Sequence, residues 1–264
     1  MSDPNLRRTA LVTGASSGIG LAFAREFARA GYDVALTARR AERLHAVADE
    51  LTSAFGVRAH VVPANLASPG ACAHIFGELT NRGVAIDALV NNAGFAVSGL
   101  FHQAPWARHR EFIEVLVSAV CELSYLALPG MRARQFGRII NVASVAGYAQ
   151  AAIGSTLYPA AKAFVIRFSQ SLALENRKAG IHVTALCPGF THTEFHDDLT
   201  RRDVARLPNF MWMDAETVAA QGFRAVERGD TRCINGWINH LLVALAHHTP
   251  NSVAVWASRQ LMKP

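Results

Sequence analysis

Tyr158 and Lys162 stand four residues apart, and Ser144 precedes the tyrosine by fourteen. Residues at the shorter spacing share a helix face, so a lysine ammonium can lie beside the tyrosine phenol and favour its phenolate. A free phenol, with a pKa of about 10, exchanges protons poorly near neutrality. Catalysis requires that value to move toward the working pH. The chain carries 23 arginines and only 3 lysines, Lys162, Lys178 and Lys263. A basic position in such a chain is ordinarily arginine, yet a lysine stands where a proton-donating pair needs one. An ordinary amphipathic helix could carry the same two residues without chemistry, so the elements around them decide the matter.

Short β-branched and apolar runs at residues 9–13, 33–38, 59–64, 87–91, 138–143, 182–187 and 232–236 predict seven strands. Between them, residues 19–30, 41–55, 69–81, 107–134, 158–179 and 214–228 repeat apolar side chains at helical intervals. This alternation predicts an α/β fold with a parallel sheet covered on both faces, and right-handed crossovers make it doubly wound. No linker or repeat divides the 264 residues, so one domain is expected. The stretch 188–213 lacks periodicity but carries Phe190, Phe195, Phe210, Met211, Trp212 and Met213. Long ordered connections of this kind are commonly binding loops, and a substrate cover is expected here. A C-terminal tail follows from residue 237.

The first strand feeds Thr13-Gly14-Ala15-Ser16-Ser17-Gly18-Ile19-Gly20 and then a helix. Glycines permit a tight turn and close backbone approach, while the helix start offers unpaired N–H groups to a pyrophosphate. The spacing is G-x-x-x-G-x-G rather than the commoner G-x-G-x-x-G. Enzymes that prefer NAD place a carboxylate near the end of the second strand to hold the ribose hydroxyls. Here that strand ends in Ala38-Arg39-Arg40. Two guanidiniums suit a 2′-phosphate through forked hydrogen bonds, so NADP is favoured over NAD, with Arg39 assigned before Arg40. The competing reading makes these arginines the start of a solvated helix with Glu42 and Arg43.

Together the glycine turn, Asn91-Asn92-Ala93-Gly94, Ser144, Tyr158-x3-Lys162 and Pro188-Gly189 resemble the short-chain dehydrogenase/reductase family, from about residue 9 to residue 228. The resemblance implies a Rossmann-type seven-stranded sheet in the order 3-2-1-4-5-6-7 and an NAD(P)-dependent oxidoreductase interconverting a carbonyl and a secondary alcohol. It implies catalytic roles for three residues: Ser144 bonds the substrate oxygen, Tyr158 passes it a proton, and Lys162 tunes Tyr158 and holds the nicotinamide ribose. It places the cofactor against Gly14, Ser16, Ser17, Gly18, Ile19 and Gly20, with Asn65 and Leu66 at the adenine and Asn91, Ala93 and Gly94 near the adenosine ribose. Pro188, Gly189, Phe190, Thr191 and Thr193 would close on the carboxamide. Homodimers or homotetramers built through the two long central helices are implied as well.

Three positions depart from the family pattern. Asn65 stands where aspartate is usual. Leu116 replaces an asparagine that anchors a proton-relaying water, and leucine cannot hydrogen-bond. Pro159 follows the tyrosine and disfavours helical geometry in the residue before it, although a first turn begun near Ser155 tolerates proline. Leu116 motivates an alternative, an NADP-binding sensor or scaffold with little catalysis.

Composition bounds the rest. With 51% apolar and 17% charged residues the chain expects a substantial core, and its +6 charge is spread as single arginines and pairs. No basic run appears, so nucleic acid is not an expected partner. Cys72, Cys121, Cys187 and Cys233 lack zinc spacing and read as reduced core thiols. His192-Thr193-Glu194-Phe195-His196 lacks the glutamate directly after histidine that a zinc helix needs, so no metal is expected. Neither a signal peptide nor a membrane span is read, and the cytoplasm is the expected compartment. Phe95, Val97, Tyr148, Phe190, Met211 and Trp212 point to an apolar substrate.

Overall fold

The computed structural model describes residues 7–149, 154–194, 208–249 and 252–253. Strands β1 (Thr9–Thr13), β2 (Asp33–Thr37), β3 (Ala59–Val61), β4 (Ala88–Asn91), β5 (Gly137–Val142) and β6 (Ile181–Cys187) are joined by helices into one parallel sheet. A short pair, β7 (Phe190–Thr191) and β8 (Trp212–Met213), stands apart from it, and β9 (Arg232–Ile234) completes the sheet. Its order is β3-β2-β1-β4-β5-β6-β9, which is the expected 3-2-1-4-5-6-7 with β9 as the seventh strand.

Every residue of β1, β2 and β4 is buried, because helices cover both faces of a parallel sheet. On one face lie α1 (Gly18–Arg29), α2 (Ala41–Phe55) and α7 (Ala215–Arg228), whose Phe23, Phe27, Leu44, Leu51, Val218 and Val226 form a continuous core with Val12 and Leu36. Gly222 lets α7 lie close to the sheet, since a Cβ there would meet the Phe23 ring at 2.8 Å and Leu186 at 3.1 Å. The other face holds α3 (Ala71–Asn81), α4 (Trp106–Ile113), α5 (Ala119–Arg134) and α6 (Leu157–Asn176). Phe112, Leu116, Leu123 and Met131 of the α4–α5 run are buried there against Leu89 and Ile139. That run is long and apolar enough to cross a membrane by composition, but its apolar side is spent on this core.

The expected single helix over residues 107–134 differs in one respect: α4 and α5 are joined by a π turn, Glu114–Ser118, with Leu116 at its centre. A π turn adds a residue to the helical winding and commonly marks a functional surface. Helix α6 begins at Leu157 with Thr156, not Ser155, at its N-cap. Pro159 therefore falls in the first turn, where its missing N–H would have had no partner anyway, and Tyr158 keeps helical geometry with its N–H on the Ser155 carbonyl at 3.3 Å.

Helix α8 (Trp237–His248) follows β9. Trp237, Leu241 and Leu245, four residues apart, form an exposed stripe on its outer side. Phe195 and His196, along with the rest of 195–207 and the tail beyond 253, lie outside the described residues.

Candidate active site

Crossovers leave the sheet in opposite directions from β1 and β4, and the carboxyl ends of such neighbouring strands open a crevice. A cleft of about 1050 Å³ lies there. Its floor at one end is the glycine turn, with Gly14 at φ 66° and Gly18 at φ 56°, conformations that favour glycine. A Cβ on Gly20 would run into the Gly14 carbonyl and come within 2.5 Å of the Asn92 amide, so that glycine shapes the turn from behind and does not line the cleft. Ser17 stands at the N-cap of α1 in extended geometry without a side-chain cap, so the first-turn N–H groups remain open toward the cleft.

Thr13 fixes the opposite lip. Its hydroxyl accepts from the N–H groups of Asn92 at 2.9 Å and Ala93 at 3.0 Å, while the Asn92 amide donates to the Thr13 carbonyl at 3.0 Å. Asn91 was expected beside the cofactor, and the structure corrects this. It is 4% exposed and points into the sheet centre, where its amide donates to Asn141 at 2.8 Å and Ser124 at 3.2 Å, because alternate strand residues face opposite sides. Asn65 and Leu66 do line the cleft, but the Asn65 side-chain oxygen already accepts from the Ala67 N–H at 3.2 Å.

At the other end, Ser144, Tyr158 and Lys162 meet in the cleft wall. Ser144 caps the short turn Val145–Tyr148, its hydroxyl accepting from Ala146 N–H at 3.1 Å and donating to the Pro188 carbonyl at 3.4 Å. Lys162 is 7% exposed and donates to the Val142 carbonyl at 2.7 Å. Its ammonium lies 5.5 Å from the Tyr158 ring centroid. The expected lowering of the phenol by this lysine is not found. Burial pushes Tyr158 up to about 12, opposed only by the bond to Ser144, and the same burial brings Lys162 down to about 8. The low-dielectric wall disfavours the charged form of each group, and for the phenol that burial outweighs what its neighbours contribute.

The lysine also carries a stability cost with a defined pH window. Below about 8 the ammonium is charged in the folded and unfolded chains alike, and the whole burial penalty applies. From about 8 to its ordinary value of 10.5 the unfolded chain holds the extra proton, so stability rises with pH and the penalty is gone above that range. Lys162→Met is therefore expected to stabilise the protein at pH 7 by on the order of 2 kcal/mol, after allowing for the orphaned Val142 carbonyl. Calorimetry at pH 7 and above pH 10.5 checks this, and an equal gain at both would refute it.

Val115, Phe95, Val145, Tyr148 and Phe190 make the wall near the triad apolar, joined by Leu242, Val243 and Ala246 from α8. The α8 contribution was not foreseen, since nothing in that helix's own pattern says which side meets the cleft. Val97 borders a separate small cavity against Tyr158, and Met211 and Trp212 lie off the cleft. Trp212 stacks instead on His192, with ring centroids 4.7 Å apart, while β7 pairs with β8. Among the described residues no group of three His, Cys, Asp or Glu side chains could hold a metal. Cys72 and Cys187 are buried as expected, whereas Cys121 and Cys233 are only partly covered. Leu116 packs over Gly94, where a Cβ would meet its Cγ at 3.6 Å.

Arg39 and Arg40 both line the cleft, but Arg40 is joined there by Arg43. Arg40 donates to the Ser16 and Ser17 hydroxyls at 3.0 and 3.2 Å, while one carboxylate, Glu194, bonds both Arg40 and Arg43. Arg43, which enters the sequence only through the competing solvated-helix reading, thus belongs to the cleft.

Residues 8–203 match the short chain dehydrogenase family. The chain is 36% identical over 187 residues to a 3-oxoacyl-(acyl-carrier-protein) reductase of Aquifex aeolicus, covering 71% of this chain and 75% of that one. Among solved structures it is similar to a short-chain dehydrogenase from Sphingobium yanoikuyae in complex with NADPH, at 32% identity and a TM-score of 0.79, covering 92% and 96% of the two chains. It is also similar to a bulky-bulky ketone specific alcohol dehydrogenase from Comamonas testosteroni, at 30% identity and a TM-score of 0.77, with 92% of each chain covered.

Proposed function

Because the chain belongs to the short-chain dehydrogenase family and is an oxidoreductase, we propose that it reduces an apolar ketone to a secondary alcohol with NADPH, and runs the reverse reaction with NADP. The observation that carries this is the convergence of Ser144, Tyr158 and Lys162 in one wall of a cleft whose far end is an uncapped helix start flanked by arginines. The fit for a dinucleotide rests on that open N-terminus and on a glycine turn that additional Cβ atoms would fill.

Gly14, Ser16, Ser17, Gly18 and Ile19 would receive the pyrophosphate of NADPH, Ala93 and Gly94 would lie along its adenosine ribose, and Pro188, Gly189, Thr191 and Thr193 would close on its carboxamide; held there, the cofactor would supply the hydride for the carbonyl carbon. Ser144 donates a hydrogen bond to the ketone oxygen. Tyr158 gives that oxygen its proton and is left as phenolate, which the Lys162 ammonium stabilises before the phenol is reprotonated. Leu116 packs against Gly94 and presents no hydrogen-bonding group to a relaying water, which is the observation that favours the second reading, an NADP-binding protein with little catalysis. Copies of the chain would pair through α5 and α6, which leave Tyr125, Phe164 and Leu174 exposed.

Titrating NADPH and NADH while screening ketones graded by bulk tests the proposal. Turnover of bulky apolar ketones with NADPH is expected; binding without turnover across the panel would overturn it. Arg40→Gln should weaken NADPH about tenfold, the scale of a lost charge-assisted bond, and leave NADH nearly unchanged. Fluorescence titration of both nucleotides reads this directly.

A further inference from the structure

Glu194 reaches back to the glycine turn from the loop that follows β7. Its carboxylate accepts from Arg43 at 2.6 Å and from Arg40 at 3.0 Å. The same Arg40 nitrogen bonds both serine hydroxyls of the turn. The adjoining Thr193 rests on the turn as well, since a Cβ on Gly18 would meet its methyl at 2.9 Å. All of these residues line the cleft.

A carboxylate thus already occupies the cationic end of the site. Its partners are about half exposed, at 44% for Arg40 and 51% for Arg43, and ion pairs that exposed add little to stability. Bonds from Arg43 and then Arg40 hold the Glu194 carboxyl below its ordinary range, so it keeps its charge at neutral pH. Such a contact matters more for what it excludes than for what it stabilises.

We propose that Glu194 sets the choice between NADP and NAD by competing, as a tethered carboxylate, with the 2′-phosphate for Arg40 and Arg43. The inference rests on the NADP reading above. A 2′-phosphate brings negative charge to two guanidiniums that Glu194 already holds, so the carboxylate must withdraw before forked bonds can form. A nucleotide with a bare 2′-hydroxyl brings no such charge and leaves the Glu194 contacts in place. Glu194 therefore penalises the phosphorylated cofactor selectively, and the sequence gives no sign of it, because the carboxylate lies about 150 positions from the arginines it neutralises.

Dissociation constants for NADPH and NADH, measured by fluorescence titration on the wild-type chain, Glu194→Gln and Arg40→Gln, test the competition. Glu194→Gln is expected to tighten NADPH about three- to tenfold, the scale of two exposed ion pairs, and to change NADH by less than about twofold. If Arg40→Gln weakens NADPH while Glu194→Gln leaves the ratio of the NADPH to the NADH dissociation constant unchanged or raises it, the competition is refuted and the NADP reading stands. If Arg40→Gln leaves NADPH binding untouched, the 2′-phosphate is not read by this pair and both fall.

Discussion

Tyr158→Phe lowers kcat by about 10² to 10⁴-fold, the usual contribution of a positioned acid, and leaves NADPH binding within about twofold of wild type. The asymmetry follows from where the hydroxyl sits. The phenylalanine ring keeps the packing that Tyr158 shares with the core beside Leu157 and Phe168, so the wall keeps its shape. Only the proton is lost. Tyr148 supplies the internal control, because it too lines the cleft, yet its hydroxyl lies 3.9 Å from the Cys187 sulfur and burial pushes its phenol up to about 12. The cation that bears on its hydroxyl is Arg232, and Tyr148→Phe should retain most of the turnover. Steady-state kinetics on the best ketone of the panel, with nucleotide titrations alongside, decide it. Full activity in Tyr158→Phe, or an equal loss in Tyr148→Phe, would remove Tyr158 from the mechanism.

The second large effect is expected at Gly147. A Cβ there would meet the Ile166 methyl at 2.7 Å, which could yield, and also the Lys162 carbonyl carbon at 2.8 Å and the Ala163 nitrogen at 2.9 Å, which are backbone of α6 and cannot. Gly147 belongs to the turn that Ser144 caps, its N–H bonded to the Ser144 carbonyl at 3.0 Å. Gly147→Ala must therefore lift the Ser144 turn away from the helix that carries Tyr158 and Lys162. Displacements of about 1 Å in such a constellation cost on the order of 10²-fold in rate. Overpacking adds about 1–3 kcal/mol of destabilisation. Gly77→Ala is the matched control, in α3 with nothing within 4 Å of the added Cβ. It should stabilise by about 0.5–1 kcal/mol with kcat unchanged. Should both variants turn over like wild type, the close seat of the turn on α6 has no bearing on catalysis.

The contrast between Gly147 and Gly77 also marks what a sequence can disclose. The strands were legible because a parallel sheet buried on both faces demands unbroken apolar runs, as in Thr9–Thr13 and Asp33–Thr37. Ser144, Tyr158, Lys162 and the glycine turn were legible because their order along the chain is itself informative. Strand ends were less so: β3 stops at Val61 and β9 at Ile234, short of the apolar runs that announced them, although the N–H groups of Val62, Ala64 and Asn235 still reach carbonyls of the neighbouring segments. Asn91 and Asn92 look alike in sequence, and only the pleat sends one into the sheet and the other to the cleft. The bonds from Arg40 and Arg43 to Glu194, like the wall from α8, join parts of the chain too distant for any local pattern to connect.

Leu242, Val243 and Ala246 reach the cleft from a helix that begins after the last strand of the sheet has been laid down. The residues proposed to hold the nucleotide's pyrophosphate lie instead on the turn after β1, where a change disturbs register and crossover together. Heredity can thus rewrite the substrate wall without renegotiating the cofactor half or the sheet. That helix becomes a replaceable template for molecular shape, and divergence in what such enzymes accept should accumulate there first.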